Sequence, residues 1–207
     1  MNTYIYEYGG KLYMNLTNKC SNSCGFCVRS TANGVGGHNL WLDKEPTAEE
    51  IIHRLNKTEL DRYGEFVFCG FGEPLYAFDT LVEIGGFLRG KGRKTRLNTN
   101  GQAELILKGH ERFRNLTDIV GALAEAVDTV SISLNASNAE KYNEICFCRF
   151  GTAGFYAMLD FAAECTGRIG RTIMSVVDTV GADEIERCGE IAENLGAEYR
   201  VRRFGVG

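Results

Sequence analysis

Hydrophobic and polar residues alternate in short runs along the whole chain. In residues 12–17, Leu12, Met14 and Leu16 fall on one face of a strand and Tyr13, Asn15 and Thr17 on the other, because strand side chains alternate with a period of two. Residues 130–135 repeat the pattern, with Val130, Ile132 and Leu134 against Ser131, Ser133 and Asn135. Arg96, Asn98 and Asn100 share a face within another run, and Arg200 and Arg202 oppose Tyr199 and Val201 in the last one. Strands are predicted at residues 12–17, 65–69, 94–99, 129–134, 172–177 and 198–204. Between them, helical periodicity runs through 47–61, 79–89, 117–126, 137–165 with a break, and 183–195. Strand and helix in this alternation specify parallel β/α units.

A parallel sheet covered on both faces reads as continuous apolar runs. These strands are apolar on one side only, so helices are expected over one face and a wet cavity along the other. The expected class is α/β: a partial, TIM-like (β/α)6 barrel over residues 12–207 with an N-terminal β-hairpin strand in 1–11, the whole one domain. Gly9-Gly10 supplies the positive φ angles of a tight turn, which lays residues 4–8 antiparallel along the first barrel strand and covers its edge. Thr47 with Glu50, and Ser137 with Glu140, fit capping boxes, and Gly64 and Gly196 stand where left-handed helix ends are expected. The sequence has no internal repeat, low-complexity tract or proline-rich linker, and 34–37 is its one loose stretch.

Charge and composition narrow the function classes. The 207 residues carry a net charge of −4, which argues against a broad phosphate-binding surface and direct nucleic-acid binding. The basic stretch Arg89, Lys91, Arg93, Lys94 and Arg96 is expected near a helix end, facing water. No apolar run approaches the roughly 20 residues that span a bilayer, and the first ten residues lack a signal core, so a cytoplasmic protein with no membrane partner is expected. In that compartment the eight cysteines read as ligands or free thiols.

Three of them are clustered. Cys20, Cys24 and Cys27 follow the first barrel strand with the spacing Cys-x3-Cys-x2-Cys, and Phe26 precedes the third. Three thiolates on one loop can hold three irons of a [4Fe–4S] cube, leaving the fourth iron open. The alternatives are a structural zinc site, for which His38 or Cys69 would have to complete the ligands, and a redox pair at Cys24 and Cys27, which leaves Cys20 without a task.

With this cluster the chain resembles the radical S-adenosylmethionine (SAM) superfamily, and the resemblance extends over nearly all of it. Gly70-Phe71-Gly72-Glu73-Pro74 resembles the family's GGEP motif, with Phe71 in place of the second Gly. Asn98 and Asn100 stand in the segment that resembles the end of the family's third strand, and Ser133 and Asn135 in the run resembling its fourth. The family's fifth-strand GxIxGxxE pattern has no counterpart around residues 175–179. The resemblance implies a [4Fe–4S] cluster and SAM as cofactors, with Glu73 and the backbone around it holding SAM's amino group. Polar residues of the next two strands would approach its ribose and carboxylate. It implies reductive cleavage of SAM to methionine and a 5′-deoxyadenosyl radical that takes hydrogen from a substrate. More narrowly, residues 4–15, the cysteine loop, and residues 35–42 and 149–151 are similar to TatD-associated radical SAM proteins, which implies a TatD-type hydrolase in the same pathway. An electron donor such as flavodoxin or ferredoxin is a further implied partner.

Three functions follow: a radical SAM enzyme on a small anionic or nucleoside-like substrate, a glycyl-radical activase acting on a protein, and a non-enzymatic metal-binding module. Arg200 and Arg202 are expected to point into the barrel and bind an anion, of SAM or of the substrate, while Tyr199 and Val201 pack under helices. The chain ends at Gly207, soon after the sixth strand, so no C-terminal domain is expected. Cys69 is expected to pack as a small apolar residue, and Cys146, Cys148, Cys165 and Cys188 to form no second cluster. His53 and His110 read as surface residues, whereas Trp41, near His38, is either part of a lid or a plug in the core.

Overall fold

The computed structural model describes residues 2–30 and 35–204, which leaves Gly34 of the loose stretch outside the described residues. A hairpin opens the fold: β1 (Ile5–Tyr8) and β2 (Lys11–Met14) pair antiparallel, joined by Gly9 and Gly10 at φ +55° and +72°. This matches the expected turn, because only glycine takes successive positive φ angles without a Cβ clash. Five more strands follow in sheet order and parallel to β2: β3 (Phe66–Phe68), β4 (Thr95–Thr99), β5 (Thr129–Ser133), β6 (Arg171–Val177) and β7 (Glu198–Arg202). The sheet does not close, so the six parallel strands form the expected partial barrel and β1 covers one edge.

Register aligns the two faces across all strands. Leu12, Met14, Phe66, Phe68, Leu97, Val130, Ile132, Met174 and Val176 lie on the outer face and are buried in one core. Helices α1 (Ala48–Leu55), α2 (Phe78–Gly90), α3 (Ala103–Ile106), α4 (Leu116–Ala126), α5 (Ala139–Cys146), α6 (Ala153–Thr166) and α7 (Ala182–Asn194) supply the rest of that core. The inner face carries Tyr13, Val67, Arg96 and Thr129 in one layer, then Asn98 and Ser131, then Ser133, Ser175 and Arg200.

Several local expectations are corrected. The helix predicted over 47–61 stops at Leu55, where Lys57 and Thr58 tighten the last turn by bonding the Arg54 and Leu55 carbonyls. Gly64 therefore caps nothing and is not among the left-handed glycines; Gly196, at φ +71°, is. The Thr47–Glu50 capping box is present, but α5 is capped by Asn138, whose side chain accepts the Lys141 N–H at 2.9 Å. Ser137 instead donates its N–H to Glu184. The break within 137–165 falls at Phe147, which adopts a left-handed conformation. Val201 is 44 % exposed on the edge strand, so only Tyr199 packs under a helix, with its hydroxyl donating to the Ile185 carbonyl.

The basic stretch also divides. Arg89 donates to the Ala124 and Val127 carbonyls at the end of α4, a cation on a helix C-terminus. Arg96 does not face water; it is 9 % exposed and lies on the inner face.

Candidate active site

The cysteine loop leaves the end of β2 and is fastened on two sides. Toward α5, Ser23 and Gly25 donate their N–H groups to the carbonyls of Cys146 and Ile145, and Arg149 donates to the Ser21 carbonyl. Toward β4, Asn100 Nδ2 donates to Ser21 Oγ at 2.8 Å. Beneath the loop, Gln102 Nε2 donates to Asn22 Oδ1 and to the Tyr142 hydroxyl, which also accepts from Asn22 Nδ2. A buried network satisfied at this many points specifies one loop conformation.

Cys20, Cys24 and Cys27 are free and half-buried, and Phe26 packs between them against the core. Burial is the first cause that pushes the Cys20 thiol up to about 12, and it raises Cys27 as well. Cys24 is raised first by a hydrogen bond with the Cys146 thiol and then by burial. The Arg29 guanidinium, held by the Asn22 carbonyl at 2.8 Å, favours the thiolate at all three. Without a bound cation, these groups are neutral thiols.

The loop after β3 approaches this one closely. A Cβ on Gly70 would meet Asn15 Oδ1 at 2.0 Å, and one on Gly72 would meet the Thr17 carbonyl at 2.2 Å. The glycines of the GxGEP run are thus required by packing. Phe71 is buried in a small inner cluster with Tyr6 and Leu40, and Pro74 starts a single 3-10 turn, Pro74–Ala77. The Glu73 carboxylate accepts from the Thr99 hydroxyl, the Asn100 N–H and the Leu75 N–H, yet burial raises its pKa to about 7. Glu73 therefore binds its own scaffold, and Asn100, with its amide on Ser21 and Gln102, does the same.

On the far side, Arg202 donates to Ser133 Oγ and Asn135 Oδ1, both at 3.3 Å, and Asn135 takes a left-handed φ of +60° to reach it. Arg200 is exposed, so the expectation that both arginines enter the barrel holds for Arg202 alone. They share a face, but Arg200 sits one inner layer lower on the edge strand β7. Asn98 faces inward, and its Oδ1 is buried without a partner among the described residues, as are Arg202 Nε, Asn15 Oδ1 and Gln102 Oε1. Buried polar atoms left unpaired mark a place for a polar ligand.

Other residues belong here that sequence reasoning placed elsewhere. Cys69 is not core packing: it lies half-buried on the inner face, with the Asn98 side chain bonded to its thiol. Cys146 and Cys148 come to the cysteine loop, the first against Cys24 and the second against Gln102. Trp41 is not a plug, being 48 % exposed and edge-on to Phe71, while Leu40 and Leu42 fill the core beside it. Asn15 and Asn18 pin that segment by bonding the Leu40 and Leu42 carbonyls. His53 is exposed and His110 meets Asp79 at the surface, as expected.

The donor set suits an iron–sulfur cluster in kind, three free thiols on one loop beside unpaired polar atoms. Among the described residues, no three such groups already surround one metal position. No helix there is long and apolar enough to cross a membrane.

Comparison with known proteins agrees with this arrangement. The sequence matches the profile of the radical SAM superfamily over residues 14–198, and the chain belongs to that superfamily. Its members are enzymes that use a [4Fe–4S] cluster and SAM. The structure is similar to that of Streptococcus suis SuiB bound to its precursor peptide SuiA, at 17 % identity and a TM-score of 0.71, covering 97 % of this chain and 40 % of that one. It is also similar to a radical SAM methyltransferase from Sphaerobacter thermophilus, at 16 % identity and a TM-score of 0.60, covering 96 % and 68 % of the two chains. Methylornithine synthase follows at 14 % identity and 0.60, with 93 % and 52 % covered. At these identities the likeness is one of fold, and the chain spans about two fifths of the length of SuiB. No curated protein matches the sequence.

Proposed function

We propose that the chain is a radical SAM enzyme in which Cys20, Cys24 and Cys27 hold three irons of a [4Fe–4S] cube, acting on a small anionic or nucleoside-like substrate. The observation that carries this reading is the loop of three free thiols at the C-terminal mouth of the barrel, on the side of buried polar atoms that have no partner among the described residues. When bound and reduced, the cluster supplies the electron that splits SAM into methionine and a 5′-deoxyadenosyl radical, which takes a hydrogen atom from the substrate.

The protein's part is to bind and orient. The backbone of Gly70, Phe71 and Gly72 borders the cysteine loop and receives SAM's amino end, with Pro74 turning the chain away. Glu73 and Asn100 position that backbone through Thr99 and Ser21. Asn98, Ser133, Asn135 and Arg202 supply polar contacts to ribose and carboxylate, and Phe26 packs the loop. To ligate iron, Cys24 exchanges its contact with Cys146 for the metal. The site is assigned to the cytoplasm, with a flavodoxin or ferredoxin as reductant. The likeness of residues 4–15 and 35–42 to TatD-associated proteins supports a TatD-type hydrolase as a pathway partner.

The test is anaerobic reconstitution followed by iron analysis and SAM cleavage with dithionite. About four irons per chain are expected, as for one cube, with 5′-deoxyadenosine formed. Cys20→Ala, Cys24→Ala and Cys27→Ala are each expected to lose both. Stoichiometric zinc, with no cluster obtainable, refutes the proposal.

A further inference from the structure

The inner face of the sheet carries more positive than negative charge among the described residues. Arg96 stands at its centre. Its guanidinium reaches Glu65 at 3.3 Å, but Lys11 holds the same carboxylate oxygen at 2.7 Å, so two cations share one acid. Arg96 Nε is buried with no hydrogen-bond partner among the described residues. Arg171, the other cation acting on Glu65, is already paired with Glu198 at 2.6 Å.

The groups around Arg96 extend this positive region upward. Burial raises the Cys69 pKa, against which the Asn98 side chain on its sulfur and the guanidinium groups of Arg96 and Arg202 favour the thiolate, while Asn98 Oδ1 has no partner among the described residues. Among the described residues, Arg202 donates to neutral oxygens, those of Ser133 and Asn135. Tyr13, level with Arg96 across β3, supplies an aromatic wall that stacks on Tyr6 with ring centres 5.0 Å apart. The acid nearest above, Glu73, is committed to Thr99, Asn100 and Leu75. Burying a guanidinium without its full set of acceptors is costly, and its planar fork suits carboxylate or phosphate oxygens.

We infer that Arg96, with Asn98, Cys69 and Tyr13, forms an oxyanion subsite on the barrel floor that seats a carboxylate or phosphate of the substrate, the organic part lying along Tyr13. The inference rests on the radical SAM reading above, which puts SAM at the mouth. Arg96 aligns with Val67 and Thr129 near the strand N-termini, whereas the cysteine loop meets the sheet at Asn100, beyond the C-terminal end of β4. An anion on Arg96 therefore sits below SAM, on the substrate's side.

Cys69 provides a reporter that does not depend on turnover. Cluster-loaded, SAM-bound protein is treated anaerobically with iodoacetamide, and alkylation of Cys69 is followed by peptide mass spectrometry with benzoate, phenyl phosphate or neutral benzamide present. At least one oxyanion is expected to slow alkylation about tenfold, the effect of a single strong contact, while benzamide leaves it unchanged. Whichever of the two protects identifies the substrate's anion as carboxylate or phosphate. Arg96→Gln is expected to abolish the protection and Arg96→Lys to retain part of it. Protection by benzamide equal to that by the oxyanions, by none of the three, or undiminished in Arg96→Gln overturns the subsite. Should Arg96→Gln fail to fold, the comparison of oxyanions with benzamide on the wild type decides alone. SAM cleavage by the same preparation is measured in parallel: its absence counts against the radical SAM reading, and absence of protection counts against the subsite.

Discussion

The Glu73 carboxylate accepts the backbone N–H of Asn100 at 2.7 Å, which ties the loop after β3 to the end of β4 within a buried contact. Burial is the main cause of its raised pKa, about 7 against an ordinary 4.5, and three hydrogen bonds oppose it. The native state therefore holds a proton between those values that the unfolded chain has released. Stability contributed by this group falls as pH rises from 4.5 to about 7 and stays low above that. The whole difference is about 3 kcal/mol, at about 1.4 kcal/mol per pH unit. Urea unfolding of cluster-free protein across this window is expected to have a steeper decline in wild type than in Glu73→Gln. Superimposable pH profiles for the two would count against it.

Gly72 is predicted to be irreplaceable by alanine. The added Cβ would stand 2.2 Å from the Thr17 carbonyl and 2.7 Å from that of Lys19, both backbone atoms leading into the cysteine loop. Moving them costs about 1–3 kcal/mol, as overpacking usually does. The loop shift should also lower the iron bound per chain after reconstitution. Gly86→Ala, on an α2 position with open space around it, is the control and should match or slightly exceed wild-type stability. Equal stability and iron content in Gly72→Ala and Gly86→Ala would contradict the argument.

Arg202 and Arg200 are predicted to separate. Arg202 is half-buried on two neutral oxygens with Nε unpaired, whereas Arg200 is exposed. Arg202→Ala should weaken SAM binding to the cluster-loaded protein about tenfold, the scale of one lost charge-assisted contact. Arg200→Ala should bind SAM as wild type does. Calorimetric titration compares them, and equal losses in both variants would restore the view that the arginines act together.

Much of the fold was legible because it depends on near neighbours in the chain. A strand's two faces follow from a two-residue period, so the assignment of Asn98, Ser133 and Arg202 to the inner face needed no tertiary information, whereas Arg96, expected in water, was placed there only by the sheet. The Gly9-Gly10 turn, the Thr47 cap and the thiol spacing are local in the same sense, and the profile match over residues 14–198 accords with them. The α5 cap was misplaced by one residue for a nonlocal reason: Glu184, on α7, takes the Ser137 N–H and leaves Asn138 to cap.

The sequence by itself determined which side chains face the cavity and which thiols share a loop, since both are set by spacing along the backbone. Only the tertiary structure decided how deeply each is buried and what it meets. Asn22 finds Tyr142 across 120 residues, Arg96 finds Glu65 just ahead of β3, and Cys24 finds Cys146 at the end of α5. Arg200 and Arg202 have the same local pattern, yet one reaches water and the other two polar oxygens. The reason is physical: desolvation and charge pairing depend on atoms that sheet register and loop anchoring bring within a few ångströms, and those atoms are distant in sequence.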